Sequence, residues 1–435
     1  MSRKAWAMLT AALLLLAAGV YAWTLPPSPP QAATGAEQER KPRTTLRLLQ
    51  FKVEIREQVL AMAEDYMREH PDIVIEAQVL KDYDTTLITR FAAGEAPDIF
   101  TVKSYSDIQD WAPRLADLSG EPWMEQISPA AVQGMTVDDR KLGFPMSIEG
   151  YGFIYNKELF AQAGIKEVPR TLGQLRTVNE KLKAAGIRSY AEGYKEWWIL
   201  GQHLLNLPFA YEENPGSAIQ SLNQGTRQLG ELKYMDGFFD VLDMTVKYGQ
   251  GSRSTLISYD DQVADFAAGR SAMMQQGVWT METIGRINRE QHIGMFAIPL
   301  SENAEETALP VGVPGYYVLN QNSPHLEESK QFLAWLHQNG DKYLVQSFNS
   351  IPAFTDLTAD NLGPLAADLA DYVRRGQTIP WAHALWPSGS QTELAKPLQD
   401  YVGGGVSREE TLQRLQQVWD TQARLSGKGE AVEGP

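Results

Sequence analysis

Apolar positions along this chain repeat with two periods that take turns. TLRLLQF (45–51) reads as a strand. In IREQVLAMAEDYMREH (55–70), Ile55, Val59, Met62, Ala63, Tyr66 and Met67 recur on one helical face, and Pro71 stops the helix. IVIEAQV (73–79) returns to period two. A short helix from Thr85 to Ala93 ends at Gly94, and DIFTV (98–102) is the next strand. Strands alternating with helices imply a parallel sheet covered by helices, with ligands beyond the carboxyl ends of its strands. Lys52, Lys103, Ser104 and Tyr105 follow such ends and are candidate site residues.

The same alternation resumes late in the chain. Asp260 or Asp261 is expected to cap a helix that ends at Gly269. SAMMQQ (271–276), HIGMFAIPL (292–300) and GYYVLN (315–320) read as strands. Ser323-Pro324 opens a helix that turns Leu326, Phe332, Leu333 and Leu336 inward and that Gly340 closes. Ser407 and Glu410 fit a capping box for the last helix, which buries Leu412, Leu415, Val418 and Trp419. FPMSIEGYGFIYNKEL (144–159) breaks the pattern: Glu149, Gly150 and Gly152 interrupt what otherwise reads as buried strand. Glycine inside a strand marks a bulge or the close approach of a ligand or another backbone. A buried carboxylate needs a partner. That partner is either a Lys or Arg of the protein or a bound molecule.

Composition narrows the picture. The chain has 435 residues, more than one ordinary core, so two or more lobes are expected. Its formal charge is −15, with no basic block in the body of the chain, which argues against nucleic acid and a polybasic membrane contact. There is no Cys, hence no disulfide, thiolate metal site, thiol nucleophile or acylated cysteine. The 6 His are scattered without an HExxH-like pair, so no metal or other cofactor is implied. Arg3 and Lys4 precede an uncharged stretch from Ala5 to Leu25, with VYA at 20–22. Residues 1–22 are therefore expected to be a signal peptide or an N-terminal membrane anchor. Residues 23–43 read as a Pro-rich tether and 426–435 as a loose tail. The 11 Trp are many for this length.

Four segments, in order, resemble the family 1 extracellular solute-binding proteins of bacterial ABC importers, the carbohydrate-binding group of the maltose- and raffinose-type oligosaccharide-binding proteins. They are AAGEAPDIF (92–100), FPMSIEGYGFIYNKELFAQAGI (144–165), FAAGRSAMMQQGVWTM (266–281) and VGVPGYYVLNQNSPHLEESKQFLAWL (311–336). The resemblance implies a periplasmic-binding-protein-like α/β fold, with two α/β lobes joined by crossing hinge strands around a ligand cleft. Lobe 1 would comprise 44–148 plus 277–323, and lobe 2 149–276 plus 324–425. The crossings would lie near Ser147 to Tyr151, near Gln275 to Val278 and after Asn320.

The resemblance also implies ligand-binding residues. Glu149, with Tyr151 on the same crossing, would accept hydrogen bonds from sugar hydroxyls, and Trp279 in GVW would stack on the sugar. In IPWAHALW, Trp386 falls on the family's stacking position and Trp381 lies nearby. One of Trp197 and Trp198 in YKEWWILG would reach the cleft while the other packs, and Tyr316 follows the flexible GVPG. Trp335 and Trp419 sit on apolar helix faces and read as core. The chain departs from the maltose-binding pattern at TVKSYSD (101–107), where Val102 stands in place of an aromatic, with Lys103 and Tyr105 as substitutes, so maltose specificity is not inherited. GIKEVPRTLGQLRTVNEKLKAAGI (164–187) looks more like raffinose-type binding proteins.

The function implied is that of an exported, monomeric carbohydrate-binding protein, not an enzyme, that closes on its ligand and delivers it to ABC permease subunits in the membrane. It would act at the outer face of the cytoplasmic membrane, extracellular or periplasmic, and without Cys it would not be a lipoprotein. Two alternatives stay open. A membrane-tethered sugar sensor for a kinase or chemoreceptor would share the fold and site. A secreted glycosidase would need a second carboxylate across the bond, and Glu149 has no partner by spacing.

Overall fold

The computed structural model describes residues 43–103, 105–128, 131–132, 134–290, 292–358 and 362–427. The expected signal or anchor at 1–22, nearly all of the expected tether, Ser104 and residues from 428 lie outside the described residues. Among the described residues, no helix is long and apolar enough to cross a membrane.

The strands in chain order are β1 (Thr44–Gln50), β2 (Ile73–Val79), β3 (Ile99–Val102), β4 (Thr136–Val137), β5 (Arg140–Lys141), β6 (Phe144–Pro145) and β7 (Glu149–Asn156). They continue as β8 (Arg188–Ala191), β9 (Ser271–Gly277), β10 (Ile293–Phe296), β11 (Leu309–Gly312), β12 (Tyr316–Leu319) and β13 (Thr378–Pro380). One sheet has the order β2-β1-β3-β12-β6, the other β13-β11-β7-β9-β8 with β10 also on β7. β4 and β5 form a separate hairpin.

The opening unit forms as its pattern predicts. β1 runs parallel to β2 and β3 and buries Leu46, Leu48 and Leu49. The helix Arg56–Glu69 between them turns Val59, Met62, Ala63 and Tyr66 onto that sheet. The first sheet is nevertheless mixed. β12 arrives from the other lobe and runs antiparallel to both β3 and β6.

β7 is the central strand of the second sheet. It pairs antiparallel with β9 along Tyr151–Tyr155 and with β10 along Phe153–Asn156. Its first two residues, Glu149 and Gly150, pair with β11. Gly152 is glycine because a Cβ there would stand 2.2 Å from the Phe296 carbonyl oxygen, so the close neighbour is backbone of the same sheet. The lobe core gathers on helices such as Met235–Tyr248 and Arg408–Leu425.

The division between lobes differs from the expected one. β10 and β11 both pair with β7, so the segment from 278 to 312 stays with the second sheet. The segment from 316 to 354, including the helix Leu326–Gln338, packs on the first. The chain therefore crosses at Met146–Ile148, at Val313–Gly315 and again after Phe354. Gln275–Val278 is no crossing, because β9 pairs with β7 up to Gly277 and the chain then turns into the helix Met281–Ile287 of the same lobe. Two caps also differ in detail. Ser258, not an Asp, caps the helix Tyr259–Ala267, its hydroxyl accepting from the Asp261 amide. Ser407 accepts from the Glu410 amide, but the Glu410 carboxylate pairs with Arg414, so only half of a capping box forms.

Candidate functional site

A cleft of about 400 Å³ opens between the two sheets, within the size range of small-molecule pockets. One wall is built from the carboxyl ends of the first sheet. Phe51, Lys52 and Glu54 follow β1, Lys81, Tyr83 and Asp84 follow β2, and Lys103 follows β3. The opposite wall comes from the second lobe. Glu196, Trp197 and Trp198 follow β8, and Gln202 and His203 lie in the next helical turns. Tyr259 and Asp260 start a helix, Trp279 follows β9 and Trp381 follows β13. The first wall is charged, the second mostly aromatic.

Lys52 and Glu149 join the walls at the floor. Glu149 is the first residue of the central strand, which places its side chain where the chain enters the second lobe. The Lys52 ammonium donates to Glu149 Oε1, and both side chains are about 95% buried, with 6% and 5% exposed. Glu54 Oε1 stands 3.5 Å from the same ammonium, and the Ser147 hydroxyl donates to Glu149 across 3.4 Å. Burial pushes the Lys52 pKa down, but two carboxylates outweigh it and hold it above its usual value. Burial pushes the Glu149 carboxyl up, and Lys52 offsets this only in part because Glu54 adds a like charge. Burial thus sets the direction for Glu149, and the cation held between two carboxylates sets it for Lys52.

The aromatic wall is a continuous cluster of rings. The Tyr151 ring lies beneath His203, centroids 4.4 Å apart and 16° from parallel. His203 also meets Trp198 and Trp279, each at 5.1 Å, and Trp198 meets Tyr259 at 5.6 Å. Burial and the nearby His383 hold the His203 imidazole well below its usual pKa, so it is neutral, and the Gln275 side-chain amide lies 3.4 Å from its Nδ1. Two glycines at strand ends give the tryptophans their seats. A Cβ on Gly277 would stand 2.1 Å from the Trp279 ring, and one on Gly312 would stand 2.6 Å from the Trp381 ring. The Trp279 indole N–H donates to Gln276 Oε1 at 3.0 Å, fixing the ring.

On the charged wall, Lys103 donates to both oxygens of Asp84, at 2.9 and 2.6 Å. Its ammonium also sits over the Phe51 and Tyr83 rings, at 5.4 and 5.7 Å. The Tyr83 hydroxyl donates to the Thr101 carbonyl and accepts from the Thr101 amide, which locks the ring at the end of β3.

The structure brings together Lys52, Glu149, Trp197, Trp198, Trp279 and Trp381 in one cleft. Both residues of the Trp197-Trp198 pair line it, where only one was expected to. Four expected residues are elsewhere. Trp386 is fully buried in the second lobe, 4.5 Å from the Phe209 ring and 5.7 Å from Trp419, so no ligand can stack on it. Tyr316 is core of the first lobe, its hydroxyl donating to the Ala131 carbonyl. Tyr151 is fully buried behind the aromatic wall, its hydroxyl donating to the His203 carbonyl. Tyr105 begins the helix Tyr105–Trp111 and is not among the cleft residues. Trp335 and Trp419 are core.

Sequence reasoning missed Phe51, Lys81, Tyr83, Asp84, Glu196, Gln202, His203, Tyr259 and Asp260 as site residues. The strand-end rule that found Lys52 applies equally to Lys81, Tyr83 and Asp84 after β2. Nothing in the periodicity marks His203 or Tyr259, which reach the cleft only through helix packing.

Two α/β lobes joined by crossing segments around a lined cleft define the architecture of a binding protein of the periplasmic type. The family model for bacterial extracellular solute-binding proteins matches residues 53–342, well over half of the chain, which belongs to that family. A multiple sugar-binding protein of Streptococcus mutans is 24% identical over 312 residues, 69% of this chain and 73% of that protein. The melibiose/raffinose/stachyose-binding protein MelE of Bacillus subtilis is 22% identical over 367 residues, 81% of this chain and 84% of that protein. Among solved structures, the solute-binding protein RafE in complex with raffinose superposes with a TM-score of 0.76 at 21% identity, covering 87% of this chain and 100% of that one. A chitin oligosaccharide binding protein does so with a TM-score of 0.73 at 21% identity, covering 88% and 99%.

Proposed function

We propose that this protein is the extracytoplasmic oligosaccharide-binding component of an ABC importer. The observation that carries the reading is the asymmetry of the cleft. A pyranose presents a flat C–H face and a polar rim of hydroxyls. The aromatic wall of Trp198, His203, Trp279 and Trp381 suits the face. The charged wall of Lys52, Glu54, Asp84, Lys103 and Glu149 suits the rim. A cleft of about 400 Å³ holds more than one sugar ring.

The mechanism is a population shift between open and closed forms. A ligand that touches both walls stabilises the closed form by its differential affinity for it, and the closed form is the one presented to the permease. The crossings at Met146–Ile148 and Val313–Gly315 flank the cleft floor and are the segments that would flex. The supporting relatives are binding proteins, so no catalytic role is assigned to the cleft carboxylates.

A thermal-shift screen over mono- and oligosaccharides tests the reading. A ligand that binds only the native state at 100 times its dissociation constant adds about 2.7 kcal/mol of stability. At least one oligosaccharide should raise the melting temperature, and the same sugar should lose its effect in Trp279→Ala. A screen in which no neutral oligosaccharide shifts the transition would overturn it.

A further inference from the structure

Resting on the sugar-binding reading, we propose that this cleft takes uncharged oligosaccharides and rejects those carrying carboxylates, because two of its three lysines are already neutralised by carboxylates of the protein and the third is exposed at the rim. A site that recognises an anionic sugar needs a cation in the cleft whose charge is not already neutralised by a carboxylate of the protein. The cleft residues include three lysines, Lys52, Lys81 and Lys103. Lys52 is buried between Glu149 and Glu54. Lys103 is held by both oxygens of Asp84 and caps the Phe51 and Tyr83 rings. Among the described residues, Lys81 has no carboxylate within ion-pair distance, and it is exposed at the rim, where water screens its charge.

The carboxylates outnumber these lysines. Glu54, Asp84, Glu149, Glu196 and Asp260 line the same cleft, so five acids face three lysines, a formal excess of two negative charges. Among the described residues, the Glu196 carboxylate accepts from the Tyr259 backbone amide, at 3.2 Å, and neither it nor Asp260 has a cationic partner. His203 adds no positive charge, because its burial keeps it neutral. The chain as a whole carries −15, so the long-range field repels anions before they reach the cleft. A sugar hydroxyl meets none of this opposition. It can donate to Glu149 or Asp84 and accept from the remaining ammonium protons of Lys52 or Lys103.

Asp84 is the residue that sets this charge filter on the first lobe. Its side chain is 67% exposed and, among the described residues, pairs with Lys103, so Asp84→Asn should free one ammonium without disturbing the core. The test uses raffinose, stachyose, maltotriose and di-N-acetylchitobiose as neutral probes. Each is compared with its 6-carboxylate (uronate) and with the matching uronamide, which has the carboxylate's shape without its charge. Calorimetry on the purified protein should show the uronamide close to its neutral parent and the uronate about a hundredfold weaker, since an opposed charge in a desolvated site costs several kcal/mol. In Asp84→Asn the uronate penalty should narrow to roughly tenfold. A wild-type protein that binds the uronate as tightly as the uronamide would overturn the proposal, and so would an undiminished penalty in Asp84→Asn. If none of the neutral probes binds, the sugar-binding reading fails and this inference with it.

Discussion

Glu149→Gln separates the partner that the structure gives this carboxylate, Lys52, from the sugar hydroxyl proposed for it. In the folded protein, Glu149 is paired with Lys52, both about 95% buried, and it also faces the cleft. Removing one member of a buried pair typically costs about 3–5 kcal/mol, because the other charge is left without compensation. Here the loss is partial. Glu54 stays 3.5 Å from the Lys52 ammonium, and a pair at about 4 Å with an effective dielectric near 20 retains about 4 kcal/mol of Coulomb attraction. The glutamine carbonyl also still accepts from Lys52. A cost of about 2 kcal/mol is therefore expected. With an unfolding entropy of about 2.1 cal/mol/K per residue, a chain this long should lose about 2–3 °C in melting temperature. Sugar affinity should fall separately by about 1–1.5 kcal/mol, roughly 5- to 13-fold, as a hydrogen bond to a charged acceptor becomes a neutral one. Scanning calorimetry and titration calorimetry on the one variant read both quantities. The double variant Lys52→Met/Glu149→Gln should regain part of the stability, since the buried pair is gone and only the more exposed Glu54 carboxylate loses its cation, but not affinity. A single variant with wild-type melting temperature and wild-type affinity would refute both assignments.

Trp279→Ala should weaken sugar binding by about 1–3 kcal/mol with a modest change in melting temperature, whereas Trp386→Ala should destabilise by about 3–5 kcal/mol, because its ring packs among Phe209, His383 and Trp419. Equal affinity loss in two equally stable variants would contradict that division. Gly312→Ala should weaken sugar binding, since its methyl group would stand 2.6 Å from the Trp381 ring and displace that wall; titration calorimetry at unchanged fold, checked by circular dichroism, reads it. Glu192 is buried and accepts the Gln250 amide at 3.0 Å, and burial pushes its carboxyl up to about 8. A folded-state pKa above the unfolded value gives stability that is full below about 4.5 and falls as pH rises toward about 8. Glu192→Gln should therefore match wild type at pH 5 and exceed it at pH 9; identical melting curves at both pH values would exclude this.

Much of the first lobe was legible because its signals are local. The strand-helix-strand run from Thr44 to Val79 carries its period in consecutive residues, and one face of each element meets one core. Lys52 and Lys103 were found by the same logic, since the strand-end rule needs only the strand boundary. Trp279 and Trp381 were reached through motif resemblance, but so was Trp386, five residues beyond Trp381. The resemblance supplied a loop and a register within it. The loop holds the short helix Ala382–Leu385, which turns Trp381 to the cleft and Trp386 into the core. A one-residue change in helical phase rotates a side chain by about 100°, so alignment alone does not say which ring faces outward.

The amino-acid sequence by itself determined the element types, the export-like leader pattern, the absence of thiol chemistry and the presence of an acid inside a core strand. Each of these depends on residue identity or on spacing within one element. Only the tertiary structure decided which lobe each late strand joined. β10 and β11 read no differently from strands of the first sheet, and their membership follows from pairing with β7, more than a hundred residues earlier. The same long-range pairing moved the second crossing to Val313–Gly315. It also answered the question of Glu149. The partner is Lys52, 97 positions away in sequence, and the two meet because the carboxyl end of β1 and the first residue of β7 border the same cleft floor. Spacing along the chain carries no record of such a meeting, since it is set by how two sheets fold against each other and not by either strand alone.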